Sequence, residues 1–244
     1  MKGQDKILKI EKNIWEAFSK EKRIGLYHGL SGFILFYDSL YKAYPLEEFE
    51  NKLLTVIEKT NELIEERQNS VSLCSGVAGY GLALLRLKNN SIEISEDYYE
   101  NIDTFLLEDF ELQCKSNNYD FMHEAMGIAM YYVERYKSNK SPKITKILNV
   151  FAENLICKIN IDFKKVLVKS DESRGDYYSL GMAHGVASYL NFLIYLKTHF
   201  TILKTDISGV LGICVDFLAS YKEYDNQTNT KRFYNIVQIS SKKI

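Results

Sequence analysis

The residue in this sequence best suited to chemistry is His184, which stands between Gly181 and Gly185 where an irregular segment turns into an apolar run ending near Leu196. Histidine ordinarily titrates near neutral pH and can give or take a proton. Because a side chain at a helix entrance can face a cavity, His184 is a candidate acid or base that a ligand could reach. The alternative interpretation is an imidazole bonded to a backbone carbonyl at the helix start.

Three earlier stretches share this arrangement of small residues before an apolar run. The aligned positions of the four copies are Gly29, Gly76, Glu124 and Gly185. They are separated by 47, 48 and 61 residues, and a polar insertion at 169–176 lengthens the last interval. A nearly fixed period of this length is typical of stacked helical hairpins. The pair Gly209 and Gly212 falls out of phase with the four copies and is interpreted as a coincidence.

Each copy combines an apolar helix after the glycines with an amphipathic helix that follows it. The predicted helices outside the entrances cover 7–20, 46–67, 94–114, 144–159 and 205–222. A helix that is apolar nearly all round must be buried, whereas an amphipathic helix can cover it from outside. The sequence therefore predicts one all-α domain over 1–244, an incomplete α/α toroid of about four inner and outer helical hairpins whose entrances surround a depression.

Composition narrows the class of protein further. The chain is 46% hydrophobic with a formal net charge of −1, which gives no electrostatic footprint for nucleic acid. The four cysteines are scattered and form no CxxC or Cys/His cluster, so reduced thiols are expected. The charged N-terminus does not resemble a signal peptide, and no apolar run approaches the ~20 residues that cross a bilayer. A cytoplasmic protein without a transmembrane segment is expected.

These residues resemble the lanthionine synthetase C-like family, the cyclases of lanthipeptide biosynthesis. The stretch 181–185, Gly-Met-Ala-His-Gly, is similar to the family's G-x-A-H-G motif, and the earlier copies are similar to its G-L-x-G-x-x-G entrances. Tyr119-Asp120 resembles the family's aspartate ahead of the third inner helix. The resemblance covers essentially the whole chain. Glu124 and Ser188 depart from it, since the family usually has glycine at both places.

The resemblance implies addition of a peptide cysteine thiol across dehydroalanine or dehydrobutyrine, which closes a thioether ring. His184 would supply the proton that the resulting enolate needs, and Asp120 would orient or activate it. Asp120 is also a plausible N-cap, because its carboxylate can accept from free amides at a helix start. The expected binding residues are Gly181, Gly185, Tyr119 and Arg174, the last of them in the polar insertion.

Complete family members, as the resemblance implies, are toroids of seven inner and seven outer helices that hold zinc through two cysteines and one histidine in W-C-Y-G and C-H-G motifs. This sequence contains neither motif, and 233–236, Phe-Tyr-Asn-Ile, resembles the segment leading toward the first zinc cysteine. We therefore expect a chain truncated before the zinc region, with no metal cofactor of its own and no cyclase activity alone.

The resemblance also implies partners. A dehydrated precursor peptide would be the substrate, and a dehydratase would be a candidate partner. An open toroid would expose apolar inner helices at its edge, so self-association is expected. The alternative functions are a non-catalytic peptide- or protein-binding module and a bare helical scaffold.

Overall fold

The structure, a computed structural model, describes residues 2–66, 70–87, 92–167, 176–200, 206–220, 222–225, 230–233 and 236–239. Within them lie the helices α1 (Lys2–Phe18), α2 (Leu30–Ala43), α3 (Glu47–Glu66), α4 (Val77–Arg86), α5 (Glu96–Lys115), α6 (Ala125–Ser138), α7 (Pro142–Leu167), α8 (Val186–His199) and α9 (Ser208–Ser220). The same residues contain four short strands, β1 (Asp176–Ser179), β2 (Lys222–Asp225), β3 (Thr230–Phe233) and β4 (Ile236–Ile239). The chain divides into two compact units, unit 1 over Met1–Asp109 and unit 2 over Phe110–Ile244.

The inner helices α2, α4, α6 and α8 each begin one residue after the aligned position of their copy. Their N-caps are Gly29, Gly76, Glu124 and Gly185, and none of these residues caps its own helix with a side-chain hydrogen bond. Instead, an amide of the first turn donates to the carbonyl seven residues earlier. The bonds are Leu30 to Arg23, Val77 to Ser70, Ala125 to Asn118 and Ala187 to Leu180. The repeat seen in the sequence is therefore a repeat of backbone geometry as well.

Burial separates the inner helices into two kinds. Nine of the ten residues of α4 and eleven of the fourteen residues of α6 are buried, as expected for helices apolar nearly all round. The helices α2 and α8 bury only one face, with six and five buried residues respectively. In unit 2, α6 and α9 pack against α8. The opposite face of α8 still carries the exposed side chain of Ile194.

The four strands were not predicted from the helical periodicity. β1 pairs with β4 in antiparallel fashion, with Asp176 opposite Ile239 and Ser179 opposite Ile236. β2 pairs with β3 in the same way. The predicted outer helix over 205–222 is shorter in the structure, because α9 ends at Ser220 and β2 begins at Lys222. Since β1 leads into the fourth helix entrance, its pairing with β4 links the 236–239 segment to the backbone just before His184.

No helix in the described part of the chain is both long enough and apolar enough to cross a membrane.

The turn after α1 is closed by Glu21 and provides a test of stability against pH. The Glu21 carboxylate accepts hydrogen bonds from Arg23 Nε at 2.8 Å and Nη2 at 2.7 Å, and from the backbone amides of Lys22 and Arg23. The Arg23 guanidinium lowers the pKa of Glu21 from its ordinary 4.5 to about 2. Because the folded-state pKa is depressed, this stabilisation is present above pH 4.5 and is lost as the pH falls toward 2.

We expect Glu21→Gln to lower the free energy of unfolding at neutral pH by about 1 kcal/mol, since solvent weakens the pair. The difference from wild type should shrink as the pH is lowered from 4.5, measured by urea unfolding followed by circular dichroism. Glu16→Gln is the control, because Glu16 only faces Lys12 at 4.0 Å with both side chains exposed. A deficit of the same size at pH 7 and at pH 3 would contradict the assigned role of the carboxylate.

Candidate functional site

The four copies can be compared position by position around their N-caps. The residues directly before the caps are His28, Ser75, His123 and His184. The residues four before the caps are Gly25, Ser72, Asp120 and Gly181. In unit 2 the residue four before the cap of the third copy, Asp120, meets the residue directly before the cap of the fourth copy, His184. Asp120 Oδ2 lies 2.6 Å from His184 Nδ1. Unit 1 shows the equivalent approach, since a Cβ on Gly25 would lie 2.1 Å from Ser75 Cα.

Asp120 is held in place by its own turn. Its Oδ1 accepts hydrogen bonds from the amides of Met122 and His123, both at 2.8 Å. Its amide donates to Glu124 Oε2 at 3.0 Å. Asp120 therefore caps the turn that precedes α6, whereas Glu124 occupies the N-cap position of the helix itself. These bonds use one carboxylate oxygen and leave the other for His184.

His184 lies at the entrance of α8 with half of its side chain, 51%, exposed. Its Nδ1 contacts the Asp120 carboxylate. At that nitrogen the partner is therefore a carboxylate and not the backbone carbonyl of the alternative interpretation. Nε2 is the ring nitrogen left for a ligand. An imidazole that contacts a partly buried carboxylate through one nitrogen, and keeps its other nitrogen available, is an arrangement that supports proton transfer.

His123 is the residue of this site that the sequence analysis did not single out. Its ring stacks on that of His184 at a centroid distance of 5.6 Å and an interplanar angle of 9°. The alignment of the four copies could have indicated His123, because both histidines directly precede the N-caps of their copies. Asp120, His123 and His184 together present one nitrogen or oxygen ligand atom each within 4.8 Å of one another.

Tyr189, one turn into α8, carries a neutral hydroxyl near these carboxylates. Burial raises the pKa of Tyr189 above its ordinary value, and the negative charges of Asp162, Asp120 and Glu124 raise it further. Its ring also stacks on Phe163 at 6.0 Å. The hydroxyl therefore stays protonated at neutral pH.

The other expected site residues fall into different environments. Gly185 is the N-cap of α8, and Gly181 lies in the bend before it. Tyr119 is only 2% exposed, and its hydroxyl donates to the carbonyl of Cys114 at 3.3 Å. Its ring belongs to the core of unit 2, and the binding role expected for it stays a prediction. Arg174 lies outside the described residues.

The cysteines do not fit the zinc set of two cysteines and one histidine that the family implies. Cys74 and Cys214 are buried, and the one thiol described beside a histidine is Cys74, whose Sγ lies 3.3 Å from His28 Nδ1 in unit 1. Burial raises the pKa of both Cys114 and Cys214 to about 12, whereas a metal ligand must be a thiolate. Among the residues that the structure describes, no two cysteines converge with a histidine.

These environments give the cysteines different reactivities. We expect iodoacetamide at pH 8 to alkylate the exposed Cys157 first, and to alkylate Cys114 and Cys214 at least ~10²-fold more slowly, because a pKa near 12 leaves almost no thiolate. Peptide mapping by mass spectrometry measures the order. In urea all four should react at similar rates. Equal rates in the folded protein would show that the half-buried Cys114 and the buried Cys214 are not in the environments described.

Residues 20–208 match the family model described as lanthionine synthetase C-like protein. The chain belongs to the lanthionine synthetase C-like family. The resemblance seen in the four helix entrances is thereby confirmed.

The solved structure of nisin cyclase is similar to this lanthionine synthetase C-like chain, with a TM-score of 0.71 at 18% sequence identity. The match covers 97% of this chain and 62% of nisin cyclase, so this member of the family spans less than two thirds of that protein's length. The match confirms the predicted fold class, an all-α fold of the α/α toroid type. A search of curated proteins gives no match.

Proposed function

We propose that this chain carries the proton-transfer pair of a peptide cyclase that forms thioether rings. The observation that supports this most directly is the 2.6 Å contact between Asp120 and His184, made where the entrances of two consecutive copies meet. Family membership supports the substrate class, a peptide with a cysteine and a dehydrated serine or threonine. A dehydration reaction must come first, so a dehydratase is the proposed partner.

In the proposed reaction the cysteine sulfur of the peptide bonds to the β-carbon of dehydroalanine or dehydrobutyrine. The electron pair of the carbon–carbon double bond moves to the α-carbon and its carbonyl, forming an enolate. His184 then donates a proton to the α-carbon. The thiol proton leaves to solvent and solvent returns a proton to His184, so the sum is addition of S–H across the double bond, with no oxidant or reductant. General acid catalysis of this kind contributes about 10²–10⁴-fold.

Asp120 acts through His184 as a positioning residue. The amides of Met122 and His123 fix one carboxylate oxygen, so the other stays directed at His184 Nδ1. This carboxylate oxygen sets the orientation of the His184 ring that donates the proton. Glu124 fixes the backbone of Asp120 in turn, because its Oε2 accepts a hydrogen bond from the Asp120 amide.

No step of the reaction is assigned to zinc on this chain, because the described cysteines do not form the family's zinc set. The peptide thiol has an ordinary pKa of about 8.5, so a metal-free thiolate becomes abundant only near that pH. We propose that the chain alone has weak activity, which is measured at pH 7.5, between the ordinary pKa values of an imidazole and of a thiol.

The test is cyclisation of a synthetic peptide containing one cysteine and one dehydroalanine, in D₂O at pH 7.5, with and without the full chain and with no metal. We expect a rate increase on the order of 10²-fold. We also expect an excess of one α-carbon diastereomer, because a fixed donor delivers deuterium to one face. The rate and the diastereomer ratio are read by mass spectrometry and chiral chromatography of the hydrolysed thioether.

A rate and a diastereomer ratio equal to those of the protein-free reaction would overturn the proposal. If fluorescence polarisation showed that the chain nevertheless binds the peptide, the alternative of a non-catalytic peptide-binding module would replace it.

A further inference from the structure

We propose that Asp120, His123 and His184 form a binding site for a divalent transition-metal ion of the zinc type. This site uses two imidazoles and a carboxylate, and it is distinct from the two-cysteine, one-histidine set implied by the family. Binding at this site does not depend on the proposed function.

The distances suit an ion after small movements of the side chains. Tetrahedral zinc with bonds of about 2.0–2.1 Å places its ligand atoms about 3.3 Å apart. The three candidate atoms lie within 4.8 Å of one another, and the pair between Asp120 and His184 lies at 2.6 Å. The hydrogen-bonded pair must therefore open by roughly 0.7 Å, and His123 must approach by up to roughly 1.5 Å. Both histidines are exposed, so side-chain rotation can accomplish this.

The donor set selects the class of ion. Imidazole nitrogens favour zinc, cobalt, nickel and copper over magnesium and calcium, which prefer sites made of oxygen alone. Three protein ligands leave a fourth position for water or another ligand. The half-exposed ring of His184 gives an ion access from solvent.

Neighbouring groups hold the Asp120 carboxylate in one orientation without an ion, which favours metal binding. Asp120 Oδ1 is occupied by the amides of Met122 and His123, and Glu124 fixes the backbone, so Oδ2 is presented in one direction. Bonds of this kind to a ligating carboxylate are worth about 10–100-fold in metal affinity. The cluster therefore has supporting contacts around its ligands as well as the ligands themselves.

An ion in this site would exclude the proton that Asp120 and His184 share. It would occupy Oδ2 and a nitrogen of His184, so His184 could not act as a proton donor at the same time. Bound metal would then inhibit the reaction proposed above. This consequence rests on the proposed function, whereas the binding itself is measured without any peptide.

The experiment is a titration of the metal-free full chain with Co²⁺, followed by its visible absorption bands and then by displacement with Zn²⁺. We expect one Co²⁺ per chain. His123→Phe keeps a ring against His184 but removes the ligand nitrogen, and it should weaken binding at least about tenfold. His184→Ala should weaken it as much. His199→Ala and His28→Ala, both outside the cluster, should bind as wild type does.

Three results would overturn the proposal. One is the absence of saturable binding to the wild type. Another is unchanged affinity in His123→Phe, with His123→Gln as the second variant should the phenylalanine disturb folding as judged by circular dichroism. The third is loss of binding in His28→Ala, which would place the ion beside Cys74 instead. Since no outcome involves peptide turnover, failure here leaves the cyclisation test unaffected.

Discussion

Replacing His184 with alanine should return peptide cyclisation at pH 7.5 to the protein-free rate, a loss on the order of 10²-fold. The variant removes the proposed proton donor but leaves the N-cap position at Gly185 and the buried face of α8 unchanged. The excess of one diastereomer should disappear together with the rate. His199→Ala, at the far end of the same helix, is the matched control and should behave as wild type.

Asp120→Asn separates charge from capping at the same site. The asparagine side-chain oxygen can still accept from the amides of Met122 and His123, but the negative charge beside His184 is gone. We expect kcat to fall about tenfold or more with KM nearly unchanged, because the side chain acts on the donor and not on peptide binding. A rise in KM with constant kcat would show instead that Asp120 contributes to binding.

Retention of the diastereomer excess in His184→Ala would place the proton donor elsewhere. The peptide affinity of the variant, measured by fluorescence polarisation, distinguishes two explanations for a loss of rate. Normal affinity with no acceleration supports a role in proton transfer. Lost affinity would show that the substitution disturbed the binding surface.

Much of the fold was predictable because its signals are local. Each helix entrance depends on a glycine or glutamate N-cap followed by an apolar run, so all four inner helices begin within one residue of the aligned positions. The pairing of β1 with β4 was not predictable in this way. It joins four-residue segments that are 60 residues apart, and so short a segment carries too little alternation to indicate a strand.

The site was predictable in part for a similar reason. The sequence and the family resemblance indicated Asp120 and His184, but a contact across 64 residues follows from how consecutive copies pack. The same packing places His123 against His184. It also buries Tyr119, whose ring lies against Phe151 at 5.7 Å, an environment that the Tyr-Asp dipeptide alone could not reveal.

A large loss of stability is expected from Gly25→Ala in unit 1. The added Cβ would lie 2.1 Å from Ser75 Cα, 2.3 Å from Ser75 C and 2.4 Å from the carbonyl oxygen of Cys74. All three are backbone atoms, so rotating a side chain cannot relieve the clash. The clash would also strain the adjacent backbone hydrogen bonds, which the amides of Leu26 and Tyr27 donate to the carbonyls of Leu73 and Cys74. We expect a loss of about 3 kcal/mol, measured by urea unfolding.

Gly212→Ala is the matched control for that substitution. Gly212 lies within α9, and nothing lies within 4 Å of a Cβ added there. Alanine is favoured over glycine inside a helix by about 0.5–1 kcal/mol, so this variant should be slightly more stable than wild type. The two substitutions add the same methyl group, and their opposite signs would isolate the close approach of the backbones as the cause.

The Gly25→Ala result also bears on the candidate site without any activity being measured. Gly25 and Ser75 occupy the positions in the first two copies that Asp120 and His184 occupy in the third and fourth. If Gly25→Ala were as stable as wild type, the first two entrances could not approach as described. The repeat geometry would then no longer support the contact between Asp120 and His184. A large loss of stability would instead show that consecutive entrances meet at these positions, where the fourth copy has a histidine and the third an aspartate.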